Sequence, residues 1–132
     1  MKRVIVAGTR TFDDYDLLEE RLDYYFKDII KEGIEIVSGM ARGADLLGEK
    51  YAIENGFPIK HFPADWKLNK KAAGPIRNEQ MAQYADFLVA FWDGWSTGTA
   101  DMVRRMGAIG KPVRVVRYTP KKKEPPPIRK GV

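Results

Sequence analysis

The chain of 132 residues contains no cysteine and a single histidine, His61. Without thiols there is no disulfide framework and no thiolate metal site, and a cytoplasmic location is the default expectation. One histidine alone supplies neither a metal-ligand set nor a nucleophile–histidine–carboxylate triad. His61 is therefore read as a structural residue in the middle of a strand, and no metal site is expected. No apolar run approaches the roughly 18 residues that a membrane-spanning helix needs. The opening "MKRVIVAGTR" sets basic residues before an apolar patch, but Arg10 ends that patch far short of a signal-peptide core. Two phosphate motifs are also missing: the dinucleotide Gly-x-Gly-x-x-Gly and the Walker A Gly-Lys-Ser/Thr. Ordinary NAD binding and P-loop NTPase chemistry are set aside on that ground, and no cofactor is expected.

What is present starts with a net charge of +5. It is unevenly placed. The last thirteen residues, "PKKKEPPPIRKGV", carry five Lys/Arg against one Glu, which leaves the preceding 119 residues with 18 basic and 17 acidic side chains. Residues 120–132 are thus expected to be a basic, Pro-rich, extended and disordered tail behind one folded domain, 1–119. A nearly neutral body makes nucleic acid an unfavoured partner, since phosphate backbones are held by clustered Lys and Arg.

Short β-branched runs and amphipathic stretches alternate along the body. Arg3–Gly8, "IEIVSG", "PIKHFPAD", "DFLVAFWDG" and "PVRVVRY" read as strands. Helices are expected over 13–31, closed by Gly33, over 44–55, closed by Gly56, from Pro75 to about Tyr84, and over 97–109, closed by Gly110. The lysine-rich segment 66–73 reads as a loop. Several strands are apolar at consecutive positions, as in a parallel sheet covered on both faces. The expected fold is a three-layer, Rossmann-like α/β sandwich with a mainly parallel five-stranded sheet.

Three strand exits are rich in glycine and small polar residues: "AGTRTF", "SGMARGAD" and "DGWSTGTAD". In an open parallel sheet, ligands bind beyond the carboxyl ends of the strands. A helix N-terminus there offers unpaired N–H groups, and glycine lets the backbone approach an anion closely. The candidate ligand-binding residues are accordingly Gly8, Thr9, Arg10, Ser38, Gly39, Arg42, Gly43, Asp45, Asp93, Gly94, Ser96, Gly98 and Thr99, with Arg77 and Asn78 at the start of the helix from Pro75. Arg10 and Arg42 suit bidentate phosphate contacts. Ser38 and Ser96 can donate to phosphate or cap their helices. Asp45 and Asp101 are placed in first helical turns, where a carboxylate favours the helix dipole or can serve ribose hydroxyls or acid/base work.

"GTRTF", "SGMARGADLLGEKYA", "FPADW…AAGPIRNEQM" and "DGWSTGTADM" together resemble the SLOG superfamily, which includes the Smf/DprA and Lonely Guy proteins. The resemblance is strongest to its small stand-alone branch in bacteria and phages, similar to YspA and YpsA. It implies a nucleotide or nucleotide-derived, ADP-ribose-like ligand at the glycine loops, bound by a sensor or carrier. Two alternatives accompany it. Lonely Guy phosphoribohydrolases cleave a base from a nucleoside 5′-monophosphate, and Arg77 with Met81 and Gly98-Thr99 resemble parts of their signature. Likeness to them implies Arg77 and Asp101 as the catalytic pair, although Met102 stands where their glutamate would and Asp101 is one residue early, about 100° away around a helix. The DprA side implies DNA binding. A homodimer is left open.

Overall fold

The computed structural model describes residues 1–120, so that, Pro120 apart, the expected basic tail lies outside the described residues. The chain runs β1 (Lys2–Gly8), α1 (Tyr15–Phe26), β2 (Ile34–Ser38), α2 (Ala44–Asn55), β3 (Ile59–His61), α3 (Trp66–Asn69), α4 (Ala73–Tyr84), β4 (Phe87–Trp92), α5 (Thr97–Ala108) and β5 (Val113–Arg117). All five strands are parallel, in the order β3-β2-β1-β4-β5. The chain therefore builds outward from β1 to β3, then crosses back and builds outward on the other side. Between β1 and β4 its direction of growth reverses, and a crevice opens beyond their carboxyl ends.

The consecutive apolar residues of β1 and β4 are explained by burial on both faces. Val4 and Val6 of β1 and Val89 and Phe91 of β4 pack with Leu18, Leu22 and Phe26 of α1 and Tyr51 and Ala52 of α2. Ile5, Ala7, Leu88 and Ala90 face the opposite way, onto Met81 and Ala82 of α4 and Met102 and Met106 of α5. The register pairs Val4 with Ile36 on one side and Phe87 on the other, and Gly8 with Phe91. The three glycine-bearing exits, at Gly8, Gly39 and Gly94, thus lie along one edge of the sheet.

Helix α2 spans the expected residues, with Gly43 and Gly56 as its caps. Elsewhere the local reading is corrected. The first helix stops at Phe26 and is followed by a separate 3-10 turn over Ile30–Glu32 before Gly33. The segment 66–73, expected as a loop, holds α3 and a second 3-10 turn, Lys70–Ala72. Asp65 is responsible, because its Oδ1 accepts the Leu68 N–H at 3.0 Å and caps α3. Helix α4 begins two residues before Pro75, which remains in the first turn, where a missing N–H breaks no helical bond. His61 is the last residue of a three-residue strand rather than a mid-strand residue, and its Nε2 lies 3.0 Å from Glu49 Oε1.

Candidate functional site

Beyond the strand exits lies an open cleft of about 850 Å³. Its floor is the end of β1 at Ala7 and Gly8. One wall is the N-terminal turn of α5, from Ser96 to Thr99 and on to Asp101, and the other is the start of α4 with Arg77 and Asn78. Arg10, Arg77, Arg104 and Lys71 bring cations to it, and Asp45 and Asp101 bring carboxyl groups. A smaller recess of about 240 Å³ adjoins it, sharing Arg10, Ala41, Trp66 and Arg77 and adding Gly39 and Arg42.

The loop before α5 is braced throughout. Asp93 Oδ1 accepts the N–H groups of Trp95 and Ser96 at 2.8 and 2.9 Å, and the Asp93 N–H donates to Thr9 Oγ1 at 3.1 Å. Burial opposes ionisation of Asp93, but these donors outweigh it and hold the carboxyl below its usual range. Ser96 is the N-cap of α5: its Oγ accepts the Thr99 N–H at 3.4 Å and the Thr99 hydroxyl at 3.1 Å. The N–H groups of Thr97 and Gly98, first and second in the helix, find no acceptor among the described residues. A Cβ placed on Gly98 would meet nothing within 4 Å, so the backbone here is open to the cleft.

Arg77 crosses the site. It donates from Nη1 to the carbonyl of Gly39 and from Nε to Asn78 Oδ1 at 3.2 Å. Burial lowers the guanidinium from its ordinary value, with Asp45 opposing the shift and Arg10 adding to it. Asp45, only 5% exposed, accepts the Ala41 N–H at 3.2 Å. Burial raises its carboxyl to about 6, against the pull of that N–H and of Arg77. Asp45 therefore takes up a proton at a higher pH than an exposed aspartate would. Asp101 has the opposite environment. It is the fifth residue of α5, not a first-turn residue, and it accepts from Asn78 Nδ2 and Arg105 Nε, both at 2.9 Å, and from Arg104 at 2.6 Å. Burial opposes its charge, but Arg105 and Asn78 prevail and hold it below the usual carboxylate range. Asn78, buried, also donates to the Gly98 carbonyl at 3.3 Å, tying α4 to α5.

Of the residues expected from sequence, Gly8, Arg10, Asp45, Arg77, Asn78, Ser96, Gly98, Thr99 and Asp101 line the cleft, and Gly39 and Arg42 line the recess. Five do not border either space. Thr9 is buried and joins the β1 and β4 exits, its N–H donating to the Phe91 carbonyl at 3.0 Å. Ser38 is fully buried, donates to Glu49 Oε2 at 2.7 Å and accepts the Met40 N–H at 3.0 Å, so it caps no helix. Gly43, at φ +79°, lets α2 begin against the carbonyls of Thr9 and Arg10, where a Cβ would sit 2.3 Å from the former. Asp93 and Gly94 belong to the brace of the loop, Gly94 lying under the Arg117 guanidinium. Among the cleft residues that were not candidates, four carry large or charged side chains: Trp66, Lys71, Trp95 and Arg104. Trp95 carried a signal, since a tryptophan between glycine and serine in a turn has no strand or helix face to bury it.

Among the described residues no group of three His, Asp or Glu side chains converges as a metal ion would require, and no helix is long and apolar enough to cross a membrane.

The strand order and the cleft at its reversal define a doubly wound, Rossmann-like α/β domain with an open crevice lined by arginine side chains. The sequence is 33% identical over 123 residues to the Gene 61 protein of Mycobacterium phage D29, covering 86% of this chain and 94% of that protein. Residues 2–68 match the YspA, cpYpsA-related SLOG family, and the chain belongs to it. Two crystal structures share the fold. TM1055, a structural-genomics target, superposes with a TM-score of 0.62 at 22% identity, over 86% of this chain and 72% of its own. DNA processing protein A (DprA) from Streptococcus pneumoniae superposes with a TM-score of 0.70 at 18% identity, over 90% of this chain. This chain spans about half, 51%, of that DprA chain.

Proposed function

We propose that the cleft binds a nucleotide or nucleotide-derived ligand through its phosphate, as a sensor or carrier. One observation carries the reading: the acceptor-free N–H groups of Thr97 and Gly98 at the mouth of α5 share one cleft with Arg10, Arg77 and Arg104. Helix-terminal N–H groups and the helix dipole favour an anion, and a guanidinium holds it by paired hydrogen bonds. Family membership supports a nucleotide-related ligand over a simple anion. Isothermal titration with nucleoside mono- and diphosphates tests the reading. Micromolar or tighter binding that Gly98→Val removes is expected; absence of binding by any phosphate compound would sink it.

The second reading is hydrolysis of a nucleoside 5′-monophosphate at its N-glycosidic bond. Asp101 is ill suited to give up a proton, because three donors hold it ionised. The observation that favours the reading is instead Asp45, a cleft-lining carboxyl raised to about 6 beside Arg77. Incubation of bound nucleotide with wild type and Asp45→Asn, followed by chromatography for free base, decides it.

A further inference from the structure

Of the three tryptophans, one is engaged and two lack a side-chain partner among the described residues. Trp92, at the end of β4, donates its Nε1–H to the Ser96 carbonyl at 3.0 Å and lies under the Arg117 guanidinium, 5.3 Å from the ring centre. Trp66 and Trp95 make no aromatic pair and no cation–π contact among the described residues, and they are 54% and 85% exposed. Neither sits on a loose backbone. The Trp95 N–H is held by Asp93, which also fixes Ser96, and Trp66 opens the capped helix α3, its Cη2 only 3.8 Å from where a Cβ on Gly74 would stand. Both border the cleft that holds the cationic cradle. An indole left uncovered on a hydrogen-bonded backbone, beside an arginine-lined cleft, offers a flat face to a flat partner. Base stacking uses such faces and tolerates any base, because every base has a π-surface.

We propose that Trp95, assisted by Trp66, stacks on the base of the ligand, so that the cleft selects base-bearing nucleotides over sugar phosphates and inorganic phosphates. The proposal rests on the phosphate reading of the cleft and adds the element that reads the rest of the molecule. Stacking on one aromatic side chain corresponds to roughly a ten- to hundredfold gain in affinity.

The full chain is titrated with the four ribonucleoside 5′-monophosphates, with ribose 5-phosphate and with inorganic pyrophosphate, by calorimetry and by indole emission. Expected are nucleotide affinities at least tenfold above that of ribose 5-phosphate, with quenching on nucleotide binding only. Trp95→Ala, at a surface position, is expected to bring the nucleotides down to the level of ribose 5-phosphate and to leave ribose 5-phosphate unchanged. Trp95→Phe should recover most of the loss, and Trp66→Ala should show a smaller loss of the same kind. Equal binding of nucleotides and ribose 5-phosphate by the wild type overturns the stacking proposal and leaves the phosphate reading in place. Failure of all these compounds to bind removes both. A self-association in ultracentrifugation that Trp95→Ala abolishes, with nucleotide affinity intact, assigns the indole to a second copy of the chain and also overturns it.

Discussion

Arg77 of α4 donates from Nη1 to the carbonyl oxygen of Gly39 at the exit of β2, and this bond ties the helix wall of the cleft to the sheet. Gly39 makes the approach feasible, since a Cβ there would stand 2.9 Å from both Arg77 Nη1 and Asp45 Oδ2. Arg77→Ala is expected to weaken nucleotide binding by about 1.5–3 kcal/mol, the scale of a charge-assisted hydrogen bond. Arg77→Lys keeps the charge but cannot serve Gly39, Asn78 and a ligand from one planar group, so calorimetry should find it only partly restored.

Gly98 separates binding from stability. As the second residue of α5 with open space around its Cα, it can accept a methyl group without a clash. Gly98→Ala is expected to raise folding stability by about 0.5–1 kcal/mol, the helical preference of Ala over Gly. The same methyl group would stand between a phosphate and the Thr97 and Gly98 N–H groups. Denaturant unfolding and ligand titration on one sample should therefore move in opposite directions.

Asp45 makes stability depend on pH in a defined window. Its folded value, about 6, lies above the ordinary 3.8, so the fold binds the proton more tightly than the unfolded chain does. The stability it contributes is fully present below pH 3.8 and is lost as pH rises through 6. Asp45→Asn removes that loss. The variant should be more stable than wild type at pH 7.5 by about 1–3 kcal/mol, with the difference vanishing near pH 4. Urea unfolding of both proteins at the two pH values checks this, and a constant difference would dissociate Asp45 from the effect.

Asp101 should behave in the reverse sense. Its folded value is depressed, so its contribution is present above the unfolded value and is lost as pH falls through the lower, folded one. Asp101→Asn leaves Arg104, Arg105 and Asn78 short of an anionic acceptor and is expected to cost about 1–3 kcal/mol of stability at pH 7. Nucleotide affinity should hold or rise, because a negative charge has left the cleft wall. A loss of binding at unchanged stability would instead put Asp101 on the ligand.

Much of the fold was open to local reading. The apolar runs of β1 and β4 demand two buried faces, which only a covered sheet supplies, and Gly56, at φ +71°, stops α2 where an L side chain would be strained. These are properties of a few neighbouring residues, and neighbours in sequence carry them. The cleft itself depended on tertiary structure. Strand order brings the β1 and β4 exits together, and the packing of α4 against α5 gives Asn78 and Asp101 their shared hydrogen bond. Side-chain direction is likewise set by partners: Ser38 of β2 turns inward to Glu49 of α2 and Asp93 turns to its own loop, while Trp95 is left exposed. Composition marked the right edge of the sheet but not which groups face its cleft. A side chain's direction, and with it the proton affinities of Asp45 and Asp101, is set by burial and by partners distant in sequence, such as Arg77 for Asp45 and Asn78 for Asp101.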